Sequence, residues 1–84
     1  MQIFLNDRMV SEEEAMVSVF DHGFLYGDGV YETMRAYDGK VFMLERHIER
    51  LGRSASLIGL HIPEPRTITD AVHAAMKANG LKSA

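Results

Sequence analysis

The sequence predicts an α+β fold in which antiparallel β-hairpins pack against two helices, and three observations carry that prediction. Gln2-Ile3-Phe4-Leu5 and Arg8-Met9-Val10-Ser11 flank a two-residue Asn6-Asp7 turn, the pattern of a short hairpin. Val30 to Tyr37 is rich in β-formers and runs into Asp38-Gly39, the strongest short-range hairpin signal. From Leu44 the apolar residues change to a helical period, and a second helical stretch follows the Ile62-Pro63-Glu64-Pro65 break, where prolines resist helix continuation.

After the first hairpin, Glu12, Glu13 and Glu14 form an acidic run, expected as a solvated loop or a helical turn. Ala15 to Val19 reads as a short extended segment. It enters Phe20-Asp21-His22-Gly23-Phe24-Leu25-Tyr26-Gly27-Asp28-Gly29-Val30-Tyr31-Glu32, where glycines at 23, 27 and 29 allow positive φ or close approach to the main chain. We expect an irregular loop shaped for contact. In the strand that follows, Tyr31, Thr33, Arg35 and Tyr37 share one face, and Val30, Glu32, Met34 and Ala36 the other. A two-residue turn at Asp38-Gly39 pairs Tyr37 with Lys40 and sets Arg35 opposite Phe42. A half-solvated strand with amphipathic tyrosines accounts for the same pattern.

In the first helix Leu44, Ile48, Leu51, Ala55 and Ile58 fall on one side, with an end near Gly59. Glu49 precedes Arg53 by four residues, the spacing of a weak surface pair. Arg50 differs, because its neighbours at three and four residues are Arg46, His47, Arg53 and Ser54, none of them acidic. Any strong partner has to come from another element. Arg50 shares a stripe with His47 and Ser54 at the edge of the apolar face, from which it reaches either solvent or a half-buried anion. The second helix is expected to begin at about Thr67, with Thr67 and Asp70 as a variant capping box and Ile68, Ala71, Val72 and Ala75 as its buried stripe. Asn79-Gly80 stops it, with Leu81 folding back as in a Schellman motif.

Composition narrows the chemistry. The 84 residues make at most one small domain, and the net charge of −3 with mixed signs argues against nucleic acid as a partner. There is no cysteine, and the histidines at 22, 47, 61 and 73 lack the spacing of metal ligands, so no metal is expected. No apolar run is long enough to span a bilayer and there is no leader pattern, so no membrane partner and a cytoplasmic setting are expected. Gly27-Asp28-Gly29 is followed by Glu32 and a strand, unlike a dinucleotide-binding loop. Ser18, Ser54 and Ser56 read as structural. There remain Tyr26, Tyr31, Arg35 and Arg50, able to hold a carboxylate or phosphate by charge-assisted hydrogen bonds. They point to an anionic small molecule.

Val17 to Glu32, with Asp38-Gly39, Phe42, His47-Ile48-Glu49-Arg50-Leu51 and Ser54-Ala55, resembles the small N-terminal domain of class IV (fold type IV) pyridoxal-phosphate aminotransferases. The resemblance covers almost the whole chain and implies that residues 1–84 are that domain. The family contains branched-chain amino acid aminotransferases, D-amino acid aminotransferases and aminodeoxychorismate lyases. They are homodimers in which a small and a large domain enclose the cofactor, pyridoxal 5'-phosphate. By resemblance, Arg50 holds the cofactor phosphate, Tyr31 lies beside the substrate pocket, and Tyr26 and Arg35 lie near the substrate. The implied reaction moves an amino group between an amino acid, branched-chain by preference, and a 2-oxo acid such as 2-oxoglutarate.

Tyr31-Glu32-Thr33-Met34-Arg35 departs from the usual branched-chain pattern, since Tyr31 leans towards the D-amino acid enzymes while Val17 to Gly23 and Arg35 lean the other way. A D-amino acid aminotransferase or an aminodeoxychorismate lyase is therefore the alternative within the family. The Schiff-base lysine of the family lies in the large domain, which places it beyond residue 84. Lys40, Lys77 and Lys82 have surface explanations, so the 84 residues alone are expected to be inactive and to leave apolar surface that the large domain covers. The end just after a helix stop suggests that the natural chain continues. From another class, a non-catalytic self-associating or anion-binding domain fits the same composition.

Overall fold

The computed structural model describes residues 1–81, so Lys82 and its expected surface position lie outside the described residues. Strands β1 (Gln2–Leu5) and β2 (Arg8–Ser11) form the first hairpin. Leu5 pairs with Arg8 and Gln2 with Ser11, and Asn6 enters the turn with a φ of 61°, a left-handed conformation that asparagine tolerates better than most residues. The acidic run that follows is an exposed turn in which Ser11 donates to Glu14 at 2.9 Å.

Ala15 to Val19 enters no strand ladder. The next segment corrects the expectation of a wholly irregular loop, because His22–Tyr26 forms a short helix, α1. Asp21 caps it by accepting from the Phe24 amide at 3.2 Å, and Gly27 closes it with a φ of 70°. An acidic N-cap and a left-handed glycine stop are ordinary helix punctuation, and both were present in the sequence.

The second hairpin has the expected register and a shorter ladder. Strands β3 (Ala36–Tyr37) and β4 (Lys40–Val41) pair Tyr37 with Lys40, and the Phe42 amide donates to the Arg35 carbonyl at 2.7 Å. Asp38 and Gly39 take φ of 50° and 79°, the paired positive values of a type I′ turn. Residues 30–35 lie outside the ladder, because β4 is cut short at Met43, which has a φ of 55° and opens the next helix. Exposure still alternates along Val30 to Tyr37, with Tyr31, Thr33, Arg35 and Tyr37 outward and Ala36 buried.

Helix α2 (Leu44–Leu57) buries Ile48 and Ala55, the latter with only 1% of its surface exposed. Helix α3 (Pro65–Ala78) begins earlier than expected, with Glu64 as N-cap and Pro65 in the first turn. Proline at that position is pre-set for the helix and lacks an amide hydrogen that would have no partner there. The Thr67–Asp70 capping box therefore does not form; Asp70 instead faces Arg66 at 3.4 Å. Nor do Glu49 and Arg53 close into an ion pair among the described residues. Both long helices end in Schellman motifs: the Leu60 amide donates to Ala55 and that of Leu81 to Met76, each at 2.9 Å, around Gly59 and Gly80 with φ of 69° and 62°.

Strand β1 packs on α3, and α3 on α2. Asn79 ties the hairpin to the end of α3, accepting from the Gln2 amide at 2.6 Å and donating to the Gln2 carbonyl at 2.7 Å. None of the described helices is long and apolar enough to cross a membrane.

Candidate functional site

The chemistry gathers where the segment before β3 meets the first half of α2. Helical spacing puts His47 and Arg50 one turn apart, and the alternation along Val30 to Ala36 turns Glu32 inward against them. The Glu32 side chain is only 8% exposed. Its Oε2 accepts from Arg50 Nε at 2.9 Å, and Oε1 accepts from Arg50 Nη2 at 2.6 Å. This is a two-bond fork, the most directional carboxylate–guanidinium geometry. His47 Nδ1 lies 2.6 Å from the same Oε1.

These contacts set the electrostatics. The Arg50 hydrogen bonds first, and the His47 hydrogen bond second, lower the Glu32 pKa from 4.5 to about 2. The pair also raises the Arg50 pKa. An ionised carboxylate only accepts, so His47 carries its ring proton on Nδ1 and donates it to Glu32. Arg50 Nη2 also approaches that Nδ1 to 3.4 Å, which is then proximity between two donors.

Arg50 was expected to need a partner from another element, and the half-buried anion at the edge of the apolar face is Glu32. Sequence reasoning placed Glu32 on the strand face opposite Tyr31 and Arg35 and gave it no role. The available signal was the inward phase of an acid along an alternating segment.

The fork occupies one side of the guanidinium. Among the described residues the Nη1 end takes no hydrogen bond, and the Arg50 side chain is 59% exposed. It borders a cavity of about 410 Å³ lined by Met43, Arg46, His47, Glu49, Arg50 and Arg53. Three guanidinium groups against one carboxylate suit a dianionic phosphate.

The other expected site residues lie apart from this centre. Tyr26, 70% exposed, stacks on His22 with ring centroids 4.8 Å apart, and His22 Nδ1 is 3.3 Å from Asp28 Oδ2. Tyr31 is 87% exposed, and Arg35 is exposed beside the β3–β4 hairpin. No hydrogen bond joins Tyr26, Tyr31 or Arg35 to Arg50 among the described residues, so the four do not form one closed pocket within this chain. Gly23 holds the α1 loop closed: a Cβ there would meet the Asp28 carbonyl oxygen at 2.8 Å. Gly29 has neither a positive φ nor a close neighbour.

Comparison with known proteins adds an independent line. The model of the family amino-transferase class IV matches residues 29–84. A Methanocaldococcus jannaschii protein provisionally named a branched-chain-amino-acid aminotransferase is 51% identical over 85 residues, which covers 100% of this chain and 30% of that one. The D-alanine aminotransferase of Staphylococcus epidermidis is 51% identical over 61 residues, covering 73% of this chain and 22% of that one. Among solved structures, the branched-chain aminotransferase of Thermoproteus uzoniensis with norvaline has a TM-score of 0.87 at 44% identity, over 98% of this chain and 29% of that one. A second branched-chain amino acid aminotransferase, from the source abbreviated T.th. and complexed with N-(5'-phosphopyridoxyl)-L-glutamate, has a TM-score of 0.89 at 33% identity, over 98% of this chain and 29% of that one.

The chain thus spans less than a third of the length of these relatives. Its hairpin-and-helix fold is that of the N-terminal part of fold type IV aminotransferases. The family match covers the residues that carry Glu32, His47 and Arg50, and the likeness in sequence and in fold extends over nearly all of the rest, so this chain belongs to the class IV aminotransferase family.

Proposed function

We propose that the full-length protein is a pyridoxal-phosphate-dependent aminotransferase that moves an amino group from a branched-chain amino acid to a 2-oxo acid such as 2-oxoglutarate. The observation that carries this reading is Arg50, locked on one side by Glu32 and open on the other to a cationic cavity, in a chain of this family. Arg50 holds the cofactor phosphate, with Arg46 and His47 at the rim. When bound, pyridoxal phosphate supplies an electron sink that stabilises a carbanion at the substrate Cα.

This chain's own residues then bind and orient. Tyr26, Tyr31 and Arg35 stand exposed to meet the substrate once the rest of the polypeptide closes over them, and Arg35 offers a carboxylate-binding guanidinium. Lys40 on β4 and Lys77 in the last turn of α3 are exposed, with no enclosing site to desolvate an amine into a nucleophile. The Schiff-base lysine comes from beyond residue 84, and residues 1–84 alone are inactive. A second copy of the full-length protein completes the assembly as a homodimer.

Branched-chain specificity is supported by the M. jannaschii relative, which aligns over the whole of this chain, and by the T. uzoniensis neighbour. Tyr31 and the S. epidermidis relative favour a second reading, a D-alanine aminotransferase. Supplying the full-length protein with L-leucine, D-alanine and aminodeoxychorismate in turn, each with 2-oxoglutarate, separates these readings. Glutamate formed from L-leucine alone is the expected outcome; turnover of D-alanine alone establishes the second reading. Release of product from aminodeoxychorismate without glutamate assigns a lyase.

A further inference from the structure

We propose that Glu32 is a positioning residue, whose carboxylate, braced by His47, presets the Arg50 guanidinium to present its unoccupied Nη1 end to a phosphate monoester. The inference rests on the assignment of Arg50 as phosphate holder and extends it to a residue that does not itself touch the phosphate.

Three features of the geometry support it. First, Glu32 takes the Nε and Nη2 hydrogens at 2.9 and 2.6 Å, which fixes the guanidinium plane and leaves the end-on edge for another ligand. A long, mostly exposed side chain otherwise loses rotamer freedom when it binds, and a pre-set one loses less. Second, Glu32 is itself held, since its side chain is nearly covered and its Oε1 also takes the His47 Nδ1 hydrogen at 2.6 Å. His47 and Arg50 project from successive turns of α2, so the brace and the braced group share one rigid element. Third, no other group among the described residues hydrogen-bonds to the Glu32 carboxylate, so both of its oxygens serve His47 and Arg50.

Positioning and charge make opposite predictions, which gives the idea a sharp test. A carboxylate beside an anion site repels the anion, so by Coulomb's law alone its removal tightens phosphate binding. If Glu32 positions Arg50, its removal weakens phosphate binding. In Glu32→Gln the amide NH2 would face one of the Arg50 donors, and the fork cannot form. Glu32→Asp keeps the charge and withdraws the carboxylate by one methylene.

The experiment measures dissociation constants of pyridoxamine 5'-phosphate and of pyridoxamine for the full-length protein by equilibrium dialysis. Their ratio is the preference for phosphate. A merely structural role for Glu32 shifts both constants together and leaves the ratio. With Arg50 present, Glu32→Gln and Glu32→Asp are each expected to lower the ratio by about tenfold, the worth of one charge-assisted hydrogen bond. In the Arg50→Lys background, where the cation is a point charge without a fork, Glu32→Gln is expected to leave the ratio unchanged or to raise it. If Glu32→Gln does not fold, Glu32→Asp decides. An unchanged or increased ratio in the Glu32 variants with Arg50 intact overturns the proposal. A ratio that does not fall in Arg50→Ala instead removes Arg50 as the phosphate holder, a separate failure read from a separate variant.

Discussion

At the scale of single residues, the pairing of Glu32 with Arg50 carries both stability and function. The fork and the His47 contact hold the Glu32 carboxyl at about 2 against an ordinary 4.5. A depressed carboxylate contributes stability that is fully present above the unfolded pKa and is lost as pH falls through the folded value. The stability difference between wild type and Glu32→Gln should therefore be constant above about pH 4.5 and shrink as pH falls towards 2. Denaturant titrations of both proteins at several pH values check this; a difference that persists unchanged at the acid end contradicts it. The missing local acid around Arg50 pointed to a distant partner, but Glu32 lies 18 residues away. Its identity depends on how α2 crosses the segment before β3, and no one-dimensional period records that crossing.

At the scale of elements, local chemistry decided what could be foreseen. The Asp38-Gly39 turn, the glycine stops at 59 and 80 and the apolar stripes of the helices depend on a few adjacent residues. All formed where the sequence placed them. Strand length was different, because a ladder needs a partner. Val30 to Arg35 has β-forming residues, but β4 ends where Met43 turns into α2, so residues 30–34 have nothing to pair with. The start of α3 had two competing signals, and proline at the first turn prevailed over the Thr67 cap. Asn79 joins distant elements: besides its two bonds to Gln2, its Nδ2 donates to the Ala75 carbonyl at 2.8 Å. Asn79→Ala removes the side-chain half of this tie, at about 0.5–1.5 kcal/mol per hydrogen bond and so roughly 1–3 kcal/mol for the two to Gln2. Denaturation of the full-length variant, with hydrogen exchange at the Gln2 amide, checks this, and a change below about 0.5 kcal/mol would show that water replaces the tie.

At the scale of the whole molecule, the chain is thin and under-buried. It measures 37 × 31 × 18 Å and exposes 6893 Å², whereas a compact monomer of 9.4 kDa exposes about 5,000 Å². Met16, Val17, Val19, Phe20, Phe24 and Leu25 contribute to the excess, all exposed on the segment that leads through α1. Apolar surface concentrated on one segment marks a place of contact. Under the proposed function, the remainder of the polypeptide and a second copy cover it and bring Tyr26, Tyr31 and Arg35 into one enclosure with Arg50. The motif segment identified the family from sequence, whereas the enclosure depends on residues beyond this chain, so it could not be read from these 84 residues.

The most direct measurement is a titration of the full-length protein and its Arg50→Ala variant with pyridoxal phosphate and with pyridoxal. The visible absorption band is recorded before and after borohydride. The wild type should form an aldimine band that borohydride fixes covalently to the protein, at far lower concentrations of the phosphorylated compound. Arg50→Ala should keep the band and lose most of that preference. Absence of a fixable band in the wild type contradicts a lysine-bound cofactor, and an undiminished preference in Arg50→Ala contradicts the role assigned to Arg50.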